Sequence, residues 1–177
     1  IGMARGDSAD GGLREASTLL EALIREDPAN TDLLRISASL HLASGRHQEA
    51  LSTFLRIGDP VKDPALAMSI GRCYRALDRY TEAITVLTEA LANLNAGDPA
   101  VKGIHYQLAR THETAGIQKL STDQIASARG HYLSAGMPEE AERMKQVNAQ
   151  IAEYKAKDAV AREKWLADRR GQDAEAA

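Results

Sequence analysis

Disulfide chemistry is the first thing this chain lacks: Cys73 is its only cysteine, so no intramolecular bridge can staple the fold. A lone thiol is compatible with a reducing compartment and is expected to act as a small apolar filler within a helix. Aromatic residues make up only 4%, with one Phe and one Trp, and runs of β-branched residues are missing, which leaves little material for strands. No apolar run approaches the ~20 residues of a membrane span, and no signal-peptide profile opens the chain. Membrane insertion is therefore not expected. No block of Lys or Arg is long enough to track a phosphate backbone and the net charge is -3, so nucleic acid is not an expected partner. Glycine-rich phosphate cradles are also missing, because the glycines stand singly apart from the Gly11-Gly12 pair. What remains is a chain of 177 residues rich in alanine, leucine and charge, long enough for one domain with a real core and suited to helix almost throughout.

Within that helical background a pattern recurs. Leu13-x-x-Ala16, His47-x-x-Ala50, Tyr80-x-x-Ala83 and Ile125-x-x-Ala128 each follow a turn and open an apolar stretch, and the first three alanines lie 34 and 33 residues apart. Such a period marks stacked helical hairpins, in which one unit cannot bury its apolar face without its neighbours. A second small residue precedes the alanine by twelve: Ala38 before Ala50, and Gly71 before Ala83. Small residues at both sites let paired helices approach closely where they cross. Bulky residues flank them, with His41, Tyr74 and His112 after the first small site and Leu20, Phe54, Leu87 and Tyr132 after the second. Units close at Asp27-Pro28, Gly58-Asp59-Pro60 and Gly97-Asp98-Pro99, since proline cannot continue a helix.

These residues resemble the tetratricopeptide repeat (TPR), a helix-turn-helix unit of about 34 residues. Gly71, Tyr74, Ala83, Leu87 and Ala90 match its pattern best, and Ala16, Leu20 and Asp27-Pro28-x-Asn30 match the second half of a unit. The resemblance spans about residues 1–136 and implies an all-α fold, a right-handed superhelical stack of hairpins with a long C-terminal capping helix. The expected divisions are a partial first repeat at 1–30, repeats at 31–63 and 64–97, a hairpin with a lengthened inter-helix loop at 98–136, a capping helix at 137–170 and a flexible tail at 171–177. Ile1-Gly2 echoes Ile70-Gly71, so the chain reads as starting inside a first helix, with a loop lengthened through Asp7 to Gly12 and an upstream repeat removed. Ala128 follows Ala109 by nineteen residues instead of twelve, which places about seven extra residues around Ile117 to Thr122.

Pro138 should open the last helix, with Glu139, Glu140 and Glu142 early and Arg162, Lys164, Arg169 and Arg170 late, as the helix dipole favours. Met144, Val147, Ile151, Tyr154, Ala161 and Trp165 keep a three-four spacing interrupted only by Asp158, a stripe that must be buried against something. Run unbroken to Arg170, this helix is about 50 Å long. Its first half is expected to seal the array, and its second half, with Tyr154, Ala161 and Trp165, to project or meet another chain.

Catalytic and metal chemistry find no constellation. His105 and His112 lie seven apart but belong to no His-Glu-x-x-His motif, and His41 and His112 fill the site of Tyr74, where packing explains them. No nucleophile sits in a strand-turn-helix elbow. The chain thus reads as no enzyme, with no cofactor and no metal.

Binding is the better prospect. The first helix of each stacked hairpin lines the concave side, and a stripe at i, i+4 and i+7 faces the groove. That stripe comprises Arg35, Ser39 and Leu42, then Met68, Arg72 and Arg75, then Tyr106, Arg110 and Glu113. Four of the nine are arginine, whose guanidinium forks grip carboxylates, so an acidic peptide segment or chain terminus is the expected ligand. Intramolecular acids such as Asp32 and Glu113 compete for the same arginines. The Lys/Asn clamp by which some TPR domains hold chaperone C-termini is not reproduced, because Ser39 and Ser69 stand where asparagine would be needed. The leading expectation is a protein-protein interaction scaffold. Two alternatives stand beside it: a self-assembly or spacer module that makes a homo-oligomer through its last helix, and a targeting or regulatory segment of a larger enzyme. The cytoplasm is the default compartment, with the periplasm open because Ile1 is not an initiator Met.

Overall fold

The structure, a computed structural model, describes the backbone of residues 6–175 and the side chains of residues 15–167. Among the described residues there are eight helices and no strand: α1 (Gly6–Glu26), α2 (Thr31–Ala43), α3 (His47–Phe54), α4 (Pro64–Ala76), α5 (Tyr80–Ala92), α6 (Ala100–Gln118), α7 (Thr122–Ser134) and α8 (Pro138–Glu175). None of the described helices is long and apolar enough to cross a membrane. The chain divides into two compact units, residues 1–107 and 108–177, and the division falls within α6.

In the first unit α1 packs on α2, α2 on α3, α3 on α4 and α4 on α5. Local chemistry sets where these helices begin. Asn30 accepts the Asp32 and Leu33 amides at 3.2 Å and donates its own side-chain amide to Asp27 Oδ2 at 3.2 Å, so Asp27-Pro28-x-Asn30 is both turn and cap. Asp63 caps α4 by accepting the Leu66 amide at 3.0 Å, and Pro64 takes the first helical position, where its missing N–H costs nothing. Ala38, Ala50 and Ala83 are fully buried, as the crossing of backbones requires. At Gly71 a Cβ would stand 2.9 Å from Leu87 Cγ, so even one methyl group would crowd the α4–α5 contact. Leu34, Leu51, Phe54, Leu66 and Ile70 complete this core, and Cys73 sits fully buried among the residues of α4. Burial pushes its thiol up to about 11, against a smaller opposing pull from Arg72, so the thiol is the inert filler expected.

The ends of α2, α4, α6 and α7 close in the same way. Residues 45, 78, 120 and 136 adopt positive φ, and the next amide reaches back five residues: Arg46 N–H to His41 O at 2.9 Å, Arg79 to Tyr74 at 2.9 Å, Ser121 to Gly116 at 2.8 Å and Met137 to Tyr132 at 2.9 Å. This is the 6→1 bond of the Schellman motif, which satisfies carbonyls left over at a helix end.

Those turns correct the sequence reading of the fourth hairpin. The seven extra residues do not form a loop: α6 runs on to Gln118, and only residues 119–121 separate it from α7. Seven residues fall within about 20° of two full turns, so they extend the first helix while keeping its buried face nearly in register. Gly116 lies twelve residues before Ala128 and serves as the small site at the α6–α7 approach, where its Cβ would come within 2.7 Å of Ile125 Cδ1. Ala109, the small site read from the sequence, is also fully buried, one heptad earlier on the same helix.

Two other expectations shift. Asp7 to Gly12, read as a loop, belong to the backbone of α1, and α8 continues past Gly171 to Glu175. Once a helix is nucleated each further residue gains a hydrogen bond, so a polar stretch without proline extends the existing helix. The echo at Ile1-Gly2 lies outside the described residues.

The second unit is built on the packing of α7 against α8. Ile125, Ala128 and Tyr132 of α7 and Ala141, Met144 and Ile151 of α8 are buried. Pro138 opens α8 with Glu139 and Glu140 in its first turn, as the charge pattern requires. Ile151 marks the limit of burial: every residue from Ala152 to Ala167 is exposed.

Candidate functional site

The stripe proposed from the sequence divides between the two units, seven residues in the first and Arg110 and Glu113 in the second. In the first unit, contacts run from one first helix to the next. Arg35 on α2 forms an ion pair with Asp63, the cap of α4, so its guanidinium is bound within the protein. Burial pushes the Asp63 carboxyl up, but the Leu66 amide and the Arg35 guanidinium outweigh it and hold the group below the usual carboxylate range. On α4, Arg75 donates to Gln107 Oε1 on α6 at 3.1 Å. Met68 covers Gly103 of α6 so closely that a Cβ there would lie 3.0 Å from its sulfur.

Arg72 differs from its neighbours. It is exposed and has no hydrogen bond or ion pair among the described residues. Ser39 is exposed on the same side of α2, while Leu42, Met68 and Tyr106 are half-buried. The stripe in this unit therefore offers one available guanidinium, two tethered ones, and apolar and hydroxyl surface between them.

In the second unit Glu113 is the centre of a polar cluster and not an open groove residue. Its side chain is 12% exposed and accepts the Tyr132 hydroxyl from α7; it also pairs with Arg143 of α8 at 2.8 Å, with Arg110 at 3.9 Å. Arg143 also donates to Glu140 at 2.7 Å, and Glu140 and Glu113 together raise its already high pKa. Burial and then Glu113 raise that of Tyr132. The cluster ties α6, α7 and α8 together.

The histidines behave as packing groups. His112 stacks on His131 with ring centroids 5.4 Å apart and meets Gln124 Oε1 at 2.5 Å through Nδ1. Burial, then Arg46, lowers the pKa of His41, and burial lowers that of His105. Nδ1 of His41 and of His47 is buried with no hydrogen-bond partner among the described residues. Among the described residues, no group of three or more His, Cys, Asp or Glu could hold a metal ion.

A cleft that the sequence did not signal lies elsewhere in the first unit. It holds about 300 Å³ over a floor that includes Ile70 and Val86, with Leu55, Tyr74, Glu82 and Glu89 at its walls. Arg79 lies over the ring of Tyr74 at 4.6 Å and pairs with Glu82 at 2.8 Å, so two of the residues that line the cleft share one guanidinium.

Comparison with known proteins agrees with this architecture. Residues 10–90, somewhat under half of the chain, match the family described as anaphase-promoting complex, cyclosome, subunit 3. No curated protein is significantly similar to the chain. Among solved structures, the nearly identical TPR-like repeats of a Podosopora anserina protein described as a kinesin light chain are 19% identical. They cover 85% of this chain and 92% of that one at a TM-score of 0.52, and a variant of the same repeats gives 0.53. A crystal structure of MamA is 20% identical, covers 89% of this chain and 99% of that one, and has a TM-score of 0.47. The hairpins are thus tetratricopeptide-type repeats in an all-helical fold, as the spacing of small residues implied.

Proposed function

We propose that this array of tetratricopeptide-type hairpins is a non-catalytic scaffold that binds an acidic peptide segment or chain terminus of a partner protein along the first-helix side of its first unit. The observation that carries this reading is Arg72, an exposed guanidinium with no hydrogen bond or ion pair among the described residues, on the same proposed stripe as Ser39, Leu42, Met68 and Tyr106. A fork of donors beside apolar surface suits a carboxylate followed by a hydrophobic side chain. Arg35 and Arg75 act differently. Held by Asp63 and Gln107, they fix the spacing of α2, α4 and the start of α6, and they add positive potential without first having to be ordered.

The test uses labelled peptides that end in Asp or Glu with a free carboxylate, and the same peptides amidated and with Asn or Gln, read by fluorescence anisotropy. The acidic peptides are expected to bind, and Arg72→Ala to weaken them by about tenfold, the worth of one charge-assisted contact. Because Arg72 is exposed, the variant should melt with the wild type. Equal affinity in wild type and Arg72→Ala would refute the assignment of this face.

A further inference from the structure

The exposed half of α8 carries a second surface, independent of Arg72. Up to Ile151 the helix is part of the core of its unit, with Ala141, Met144 and Ile151 all buried. Beyond it the three-four spacing continues into solvent. Tyr154 is 58% exposed and Trp165 56%, with Ala161 exposed between them. From Ile151 to Trp165 this seam extends about 21 Å at 1.5 Å per residue.

The charges that border the seam are of one sign. With Ile151, Asp158 and Trp165 at one seam position of a heptad and Tyr154 and Ala161 at the other, Lys157 and Lys164 flank it on one side and Lys155 and Arg162 on the other. Lys157 pairs with Glu153 at 2.7 Å and Arg162 approaches Asp158 at 3.9 Å, contacts within the helix that support it in water. Both cations stay 76% exposed. Lys155 and Lys164 have no ion pair among the described residues.

This border selects the occupant. Two copies of α8 paired in parallel would set Lys157 of one against Arg162 of the other, and antiparallel pairing would set each border against itself, so both orientations oppose like charges. A helix with an apolar seam bordered by Glu or Asp meets the same surface with attraction on both sides. We infer that the exposed half of α8 is a docking rail for an acidic amphipathic helix of another protein, paired with it as a two-stranded coiled coil. Asp158, the one polar residue in the exposed seam, favours a single register, as a buried polar group at such a position does in other paired helices.

Trp165 is the only tryptophan, so its emission reports on the rail directly. The full chain is titrated with a synthetic heptad peptide that has leucine at its seam and glutamate at its borders, and in parallel with the lysine-bordered version; light scattering follows the chain alone. The expected result is a saturable blue shift of Trp165 emission with the glutamate peptide, binding at least about tenfold tighter than the lysine peptide. The chain alone remains monomeric. Combined K155E, K157E, R162E and K164E substitutions, all on exposed positions, should invert the preference between the peptides, whereas Arg72→Ala should leave it unchanged. Equal response to both peptides, response to neither, or a dimer that Trp165→Ala dissociates would overturn the inference.

Discussion

Gly116 and Ile125 meet across the α6–α7 approach so closely that a Cβ on the glycine would stand 2.7 Å from Ile125 Cδ1 and 2.9 Å from its Cγ1. The Gln124 Cβ, 3.1 Å away, closes the other side. Ile125 is fully buried and β-branched, so it has little rotamer freedom with which to yield. Within the second unit α6 and α7 thus meet at a point where only hydrogen fits.

Gly116→Val should therefore destabilise the protein by about 1–3 kcal/mol through overpacking. Gly130, with nothing within 4 Å of a Cβ, is the control on the neighbouring helix. Gly130→Ala should stabilise by up to about 1 kcal/mol, because alanine restricts the unfolded chain and favours helix. Urea denaturation of both variants measures the two signs, and a Gly116→Val protein as stable as wild type would contradict the close approach.

Leu120 takes the positive-φ position of the α6–α7 turn at φ 50°, where two of the corresponding turns use Gly45 and Gly136. A branched side chain is strained there, and this one is 37% exposed, so its burial returns little. Leu120→Gly is expected to raise stability by about 1 kcal/mol. The equivalent change at Asp78 should not, because Asp78 Oδ1 accepts the Tyr80 hydroxyl at 2.5 Å and burial followed by that bond raises the tyrosine to about 12.

Asp63 supplies the pH dependence. Its folded pKa lies below the ordinary value of 3.8, so the folded state favours the carboxylate more than the unfolded chain does. The contribution is complete above pH 3.8 and is lost as pH falls through the lowered folded value. Asp63→Asn keeps an N-cap but discards the charge. Wild type should exceed the variant in melting temperature near neutrality, and the gap should close in acid; a gap that persists at the acid end would show that the pairing with Arg35 contributes nothing.

Much of the repeat could be read from Ala38, Ala50, Gly71 and Ala83, because crossing backbones leave room only for small residues and those recur at a fixed interval. Gly116 was missed for a physical reason. A seven-residue insertion amounts to nearly two helical turns, so Ala109 also lands on the buried face and satisfies the pattern that the eye follows. Which charges of the proposed stripe are bound within the protein was not legible. The partner of Arg35 lies 28 residues away at Asp63 and that of Glu113 lies 30 away at Arg143, pairings that depend on how helices stack and not on local spacing. Lys155, Lys157, Arg162 and Lys164 needed only the heptad, but the limit of burial at Ile151 had to come from the fold.

The most direct measurement of the proposed binding face is a methyl-labelled NMR titration with an acidic peptide that ends in a free carboxylate. Leu42 and Met68 lie along the first-helix side, whereas Leu55 and Val86 line the cleft elsewhere in the same unit. The account predicts saturable shifts at Leu42 and Met68, abolished in Arg72→Ala, with Leu55 and Val86 unmoved. Shifts confined to Leu55 and Val86 and indifferent to Arg72 would contradict it.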